Sequence, residues 1–211
     1  MKKAVFIISI LISAYLITAY SQSEKIKEID EYCEKIKSKI PVNENDLSYY
    51  YQQKLHYISN FRAIGRQDTR VIFYYPHAED EYYEDGEETK FKLNYFPPEI
   101  ITISYNIAAS MDVKITYYFN EGQLLLYHGI SKGVYYCIEE KYYFEGKTLL
   151  KIKTEKPSDC TENEVLEEKP VYEKDNGFNE EEKSKANTIL KNALEYKKTF
   201  FSLVELESLD K

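Results

Sequence analysis

The sequence predicts an α+β fold: an antiparallel β-meander sheet of roughly seven or eight strands, with an N-terminal helix and a long C-terminal helix packed on one face. Three observations carry this. Near the start of the chain, apolar residues recur at steps of 3 and 4, the helical period. From about residue 47 to 154 the pattern becomes alternation, punctuated by glycines at hairpin spacing. Beyond residue 179 the helical period returns for roughly seven turns.

Residues 1–21 read as a secretory signal. Lys2 and Lys3 precede an uncharged run from Ala4 to Tyr20, and Ala19-Tyr20-Ser21 places small residues where a signal peptidase reads. The run of 17 residues falls slightly short of the roughly 20 that span a bilayer. No Cys follows it, so no lipid anchor is offered. The expectation is cleavage after Ser21 and a secreted or periplasmic protein of the bacterial envelope, with residues 22–211 as a single domain and no stable membrane span.

The first helix is expected over 23–40. Ile26, Ile29, Cys33, Ile36 and Ile40 form one stripe, and Pro41 ends it. Cys33 on that stripe reads as a small buried hydrophobe.

The meander is expected over 47–154, with strands at 48–58, 69–75, 88–96, 100–105, 113–119, 123–128, 134–144 and 147–153. Asp85-Gly86, Asn120-Glu121-Gly122 and Glu145-Gly146 are hairpin signals, and Gly65, Gly129 and Gly133 also read as turn glycines. Tyrosine, with 22 copies and no Trp in the chain, suits strands whose rings pack while the hydroxyls stay wet. One echo is visible: Tyr117-Tyr118-Phe119 through Leu124-Leu125 returns 25 residues later as Tyr142-Tyr143-Phe144 through Leu149-Leu150. Two copies are too few for a solenoid. They read as two similar hairpins that reached the same turn chemistry.

A polar connector follows over 155–178, then a helix over 179–208. Asn179 is the expected N-cap, with Glu182 completing a capping box. Ile189, Ala193, Tyr196, Phe200 and Leu203 form its apolar stripe.

Alternation assigns Val113, Ile115, Tyr117, Phe119, Ile138, Tyr142 and Phe144 to the core face. The opposite face carries Tyr118, Tyr135 and Tyr143 among Thr116, Lys114 and Lys141. It reads as an open, wet surface, the kind of aromatic platform that suits a glycan or an extended peptide.

Charge narrows the partners. The chain carries a net −8, and losing Lys2 and Lys3 with the signal takes it to −10. With no basic cluster, nucleic acid is excluded as a partner, and a glycan, a peptide or an envelope protein is expected instead. No catalytic residue is singled out. GxSxG, HExxH and glycine-rich phosphate loops are absent. The acidic run 77–88 fails the EF-hand pattern, because Tyr83 and Lys92 fall where ligands are required. A Cys137–His128 pair is conceivable across one turn, but a structural Cys and a surface His are the simpler reading. No metal or cofactor is expected. Of three cysteines, Cys137 and Cys160 are the expected disulfide, with Cys33 left free and Cys33–Cys160 as the competing pair.

Three readings of function stay open at this point. The first is a non-enzymatic binding or interaction module using the Tyr-rich face. The second is a carrier of a lipid or hydrophobic ligand in an apolar cavity, and the third is a hydrolase with an unrecognised site. The Lys-Lys signal ending in Ser-Gln and the Tyr-Tyr-Phe hairpins, over residues 114–153, resemble those of uncharacterised exported bacterial proteins. They are only faintly similar to MORN-type repeats, whose spacing and glycine density are missing. The resemblance implies no activity and no site residues.

Overall fold

The computed structural model describes residues 21–40, 50–62, 65–76, 81–85, 88–92, 96–107, 111–133, 137–156 and 172–209. Helix α1 covers residues 21–37. The strands are β1 (Tyr50–Phe61), β2 (Gly65–Pro76), β3 (Glu81–Asp85), β4 (Glu88–Lys92), β5 (Ile100–Ile107), β6 (Met111–Asn120), β7 (Gln123–Gly133), β8 (Cys137–Glu145), β9 (Thr148–Glu155) and β10 (Tyr172–Lys174), and helix α2 is Glu180–Leu209. Eight strands form one antiparallel sheet in the order β1-β2-β5-β6-β7-β8-β9-β10, while β3 and β4 pair only with each other. The α+β fold, the single meander and the two flanking helices are those the sequence predicts.

Several details differ. The strand expected over 88–96 is β4, which leaves the main sheet, so β2 pairs directly with β5 from Thr69↔Tyr105 to Tyr74↔Ile100. Its partner β3 is too acidic to read as a strand. The connector contains β10, a three-residue edge strand on β9. Gly129 and Gly133 lie within β7 rather than in turns. The Tyr127 ring folds over Gly129, where a Cβ would meet its hydroxyl at 2.6 Å, so the missing side chain makes room for an aromatic.

The largest correction concerns the helices, which sit on opposite faces of the sheet. Under α2 lies an aromatic core: Phe73, Tyr117, Phe119, Tyr127, Tyr142 and Phe144 pack with Ile189, Ala193 and Phe200. Ring centroids are 5.6 Å apart for Phe73–Phe200, 4.9 Å for Tyr75–Phe200 and 5.7 Å for the edge-on Tyr127–Tyr142 pair. Under α1 lies a second core of Ile26, Ile29, Cys33 and Ile36 on Ile100, Tyr118, Leu126 and Tyr143. The physical reason is that each helix has its own apolar stripe, and one sheet offers two surfaces. Tyr117-Tyr118-Phe119, Leu124-Leu125-Leu126 and Tyr142-Tyr143-Phe144 are unbroken apolar runs, as strands buried on both faces require.

The sequence echo is a structural one. Both hairpins, β6–β7 and β8–β9, shift register one residue before their Phe, at Tyr118/Phe119 and at Tyr143/Phe144. In each, one leucine is extra: Leu125 between the paired Leu124 and Leu126, and Leu150 between the paired Leu149 and Lys151. Both extra leucines pack against the α1 core. Gly122 and Gly146 close the turns at φ of 75° and 60°, the left-handed region that glycine adopts without strain.

Helix α2 begins as the sequence predicts. The Glu182 amide donates to Asn179 Oδ1 at 2.8 Å, and the Asn179 amide donates to Glu182 Oε2 at 2.6 Å, a reciprocal capping box. Lys174 at the end of β10 adds an ion pair to Glu182 at 2.7 Å.

Candidate functional site

The face that bears α1 is organised in cross-strand rows set by register. The first row, Tyr74–Ile100–Tyr118–Leu126–Tyr143, is apolar and runs beneath the helix. Polar contacts trace α1 across the strands. Gln22 Nε2 donates to the Leu150 carbonyl at 2.5 Å, and the Tyr143 hydroxyl donates to Asp30 at 3.0 Å. The Tyr32 hydroxyl donates to the Phe119 carbonyl at 3.0 Å, and Lys39 lies 5.6 Å from the Tyr50 ring. The Tyr143 hydroxyl, expected to face water, instead holds the helix.

Away from the hairpin turns, two further rows are polar: Thr102–Thr116–His128–Lys141–Lys153 and Ser104–Lys114–Ile130–Glu139–Glu155. Their charges compensate one another. Lys141 Nζ is 2.8 Å from Glu139 and 3.1 Å from Glu155, and Lys153 is 2.7 Å from Glu155. His128 Nε2 is 2.8 Å from Glu139 Oε1, a contact that becomes an ion pair only when the imidazole is protonated. Burial, followed by Lys141 and Lys37, holds the His128 imidazole below the ordinary histidine value, against the pull of Glu139. Burial opposes the charge on Lys141 and on Glu155. Pairing outweighs it: Glu139 and then Glu155 raise Lys141, and Lys153 and then Lys141 hold Glu155 down.

Of the residues singled out from sequence, Tyr118 and Tyr143 are buried at 6% and 3% exposure, so they form no open platform. Alternation grouped them on the right face, but assigning that face to solvent was the error. Lys141 sits among the ion pairs of these rows, and Lys114, in the second row, is exposed. Tyr135 and Cys160 lie outside the described residues. Cys137 pairs in register with Lys132, four residues along β7 from His128. At roughly 3.3 Å per residue that is about 13 Å, so no Cys–His couple forms. Cys33 is a free, buried thiol, and burial aided by Asp30 and Glu34 pushes it up to about 12, well away from reactivity. Among the described residues no group of three or more His, Cys, Asp or Glu is placed to hold a metal, and no helix is long and apolar enough to cross a membrane.

The feature that sequence reasoning missed lies on the other face, where α2 passes over the two hairpin turns. A cleft of about 550 Å³ opens there. Buried Phe119, Leu124 and Ala193 make its floor, Leu190 and Leu194 make its helical wall, and Gly122 and Gly146 form its far side. Leu194 is 49% exposed at the lip. The first turn is tied to α2, because Lys197 Nζ donates to the Gly122 carbonyl at 2.9 Å. A Cβ on Gly122 would meet that ammonium at 2.7 Å, whereas one on Gly146 would meet nothing within 4 Å. The sequence signal was the echo itself: two equivalent turns facing one helix, with Leu190 and Leu194 beside its central stripe.

Comparison with protein families, with curated proteins and with solved structures gives no match to this chain.

Proposed function

We propose that the chain is a non-enzymatic binding protein of the cell envelope that holds an apolar ligand in the cleft between α2 and the turns that follow β6 and β8. The cleft supports this reading. Its volume of about 550 Å³ falls within the roughly 300–1,000 Å³ of small-molecule sites, and its floor is apolar. A glycan or peptide platform has less support, since Tyr118 and Tyr143 are engaged by α1. Hydrolysis has less still, because the cleft lining holds no His, Asp or Glu.

The chain has no Trp, so an uncharged naphthylamine dye can be titrated against a dark background. Saturable enhancement at one dye per chain is expected, and Leu194→Glu, at an exposed position, weakens it at least tenfold. Absence of saturable binding refutes the reading, and an unaffected Leu194→Glu variant refutes the placement.

Export and the disulfide belong to the same proposal. The signal layout of residues 1–21 supports cleavage after Ser21, with a mature terminus at Gln22 that mass spectrometry of protein from the native host would find. An intact Met1 refutes it. Cyclisation of that glutamine would expel Nε2, the donor to the Leu150 and Asp175 carbonyls, so the folded chain is expected to keep Gln22 uncyclised. With Cys33 a free thiol, Cys137–Cys160 is the favoured pair. The bond would close a loop of roughly two dozen residues and contribute about 3 kcal/mol in the chain-entropy view. Non-reducing peptide mapping that recovers Cys33–Cys160 would overturn it.

A further inference from the structure

Resting on that reading of the cleft, we infer that its ligand is a single-chain amphiphile with an anionic head, a free long-chain carboxylate. The argument is one of charge complementarity. Acidic residues outnumber basic ones by 36 to 28 in this chain, yet the cleft is lined by Lys147, Lys191 and Lys197 and by no acid. Lys147 follows the second turn, while Lys191 and Lys197 stand on α2. Three cations from two elements therefore rim one apolar floor.

Lys197 spends one of its three donors on the Gly122 carbonyl at 2.9 Å and keeps two. Neither Lys147 nor Lys191 is paired with a carboxylate among the described residues, where many other surface lysines are: Lys183 with Glu180, Lys185 with Glu140 and Lys198 with Glu195. An ammonium beside low-dielectric apolar surface attracts a carboxylate more strongly than one surrounded by water. The acyl chain would lie over Phe119 and Leu194 and be removed from water there. The head would stay at the rim within reach of the lysines. The cleft is bounded by two turns and a helix rather than being flat, which favours one free chain over a bilayer surface.

The experiment compares dodecanoate with dodecanol, each below its aggregation limit, as displacers of the uncharged dye from the full-length protein. Dodecanoate is expected to bind at least fivefold more tightly. Lys147→Gln/Lys191→Gln, which leaves only Lys197 at the rim, should shrink that difference at least twofold by weakening dodecanoate far more than dodecanol. Raising salt from 0.05 to 0.5 M should weaken dodecanoate alone, as screening requires. Equal binding of acid and alcohol overturns the anionic head while leaving the apolar cleft standing, and displacement by neither overturns both. Co-sedimentation with anionic phospholipid vesicles that dodecanoate fails to reverse would overturn the proposal in favour of a membrane surface. The two lysines are exposed at a turn and on a helix, so loss of the fold is not expected. An unchanged circular dichroism spectrum of the double variant checks this.

Discussion

The two faces of this sheet are built from the same strands yet finished differently. Beneath α2 the face is aromatic along most of its length, and Phe73, Phe144 and Phe200 are wholly shielded from solvent. Beneath α1 only the half near the hairpin turns is apolar, and the other half is a grid of paired charges. A strand can therefore be two-sided at one end and one-sided at the other. The division is local: β6 reads Tyr117-Tyr118-Phe119 near its turn and Val113-Lys114-Ile115-Thr116 away from it.

The contrast predicts a graded set of losses. The largest is on the aromatic face, where Phe200→Ala should cost about 3–5 kcal/mol in a denaturant titration. A midpoint that hardly moves would mean α2 is not part of the core. Ile36→Ala on the opposite face should fall at the lower end of about 2–5 kcal/mol, because it lies near the end of a shorter helix that can settle into the gap. Equal losses at the two sites would remove the distinction between the faces. Asn179→Ala, which opens the capping box without touching either core, should cost about 1 kcal/mol.

The smallest effect is one of pH. In the fold, burial and then Lys141 and Lys37 keep His128 neutral, with Glu139 opposing. The unfolded chain therefore binds the extra proton, and stability falls as pH drops through the ordinary histidine value of 6.5. His128→Gln should lose less stability than the parent between pH 7.5 and 5.5. Glu155 and Glu182, both held below 4.5, titrate under that window and do not blur the comparison. A parallel decline in both proteins would show that the polar rows do not sense protonation.

Much of this architecture is legible in the chain. Asn179 and Glu182 announce the start of α2, Gly122 and Gly146 mark the turns, and the steps from Ile26 to Ile36 give α1 its stripe. Helix placement was harder to read, because alternation sorts residues into two sets without saying which set is wet. The hydroxyl of tyrosine adds to the ambiguity, since Tyr143 satisfies it on Asp30 while remaining buried. The unbroken runs at 117–119, 124–126 and 142–144 held the information, as did the presence of two apolar helical stripes for one sheet. β10 was invisible for another reason. Three residues, Tyr172 and two charges, are too short a run to show a period, and their pairing depends on the neighbouring edge of β9. The cleft was hidden because it arises where two turns distant in sequence meet one helix.

The extra leucines have a consequence for insertions and deletions. Removing one residue from a regular strand turns every side chain beyond it to the opposite face. β7 and β9 each contain one position exempt from that rule. Without Leu125, Leu124 and Leu126 become ordinary neighbours that already point to opposite cores, and Tyr127 keeps its place under α2. Without Leu150, Leu149 and Ile152 likewise stay on the α2 side. The carbonyl that Gln22 holds is that of Leu150, so α1 is fastened to the spare residue itself. A codon lost anywhere in Leu124–Leu126, or at Leu149 or Leu150, gives the same shortened strand and leaves both layers in phase.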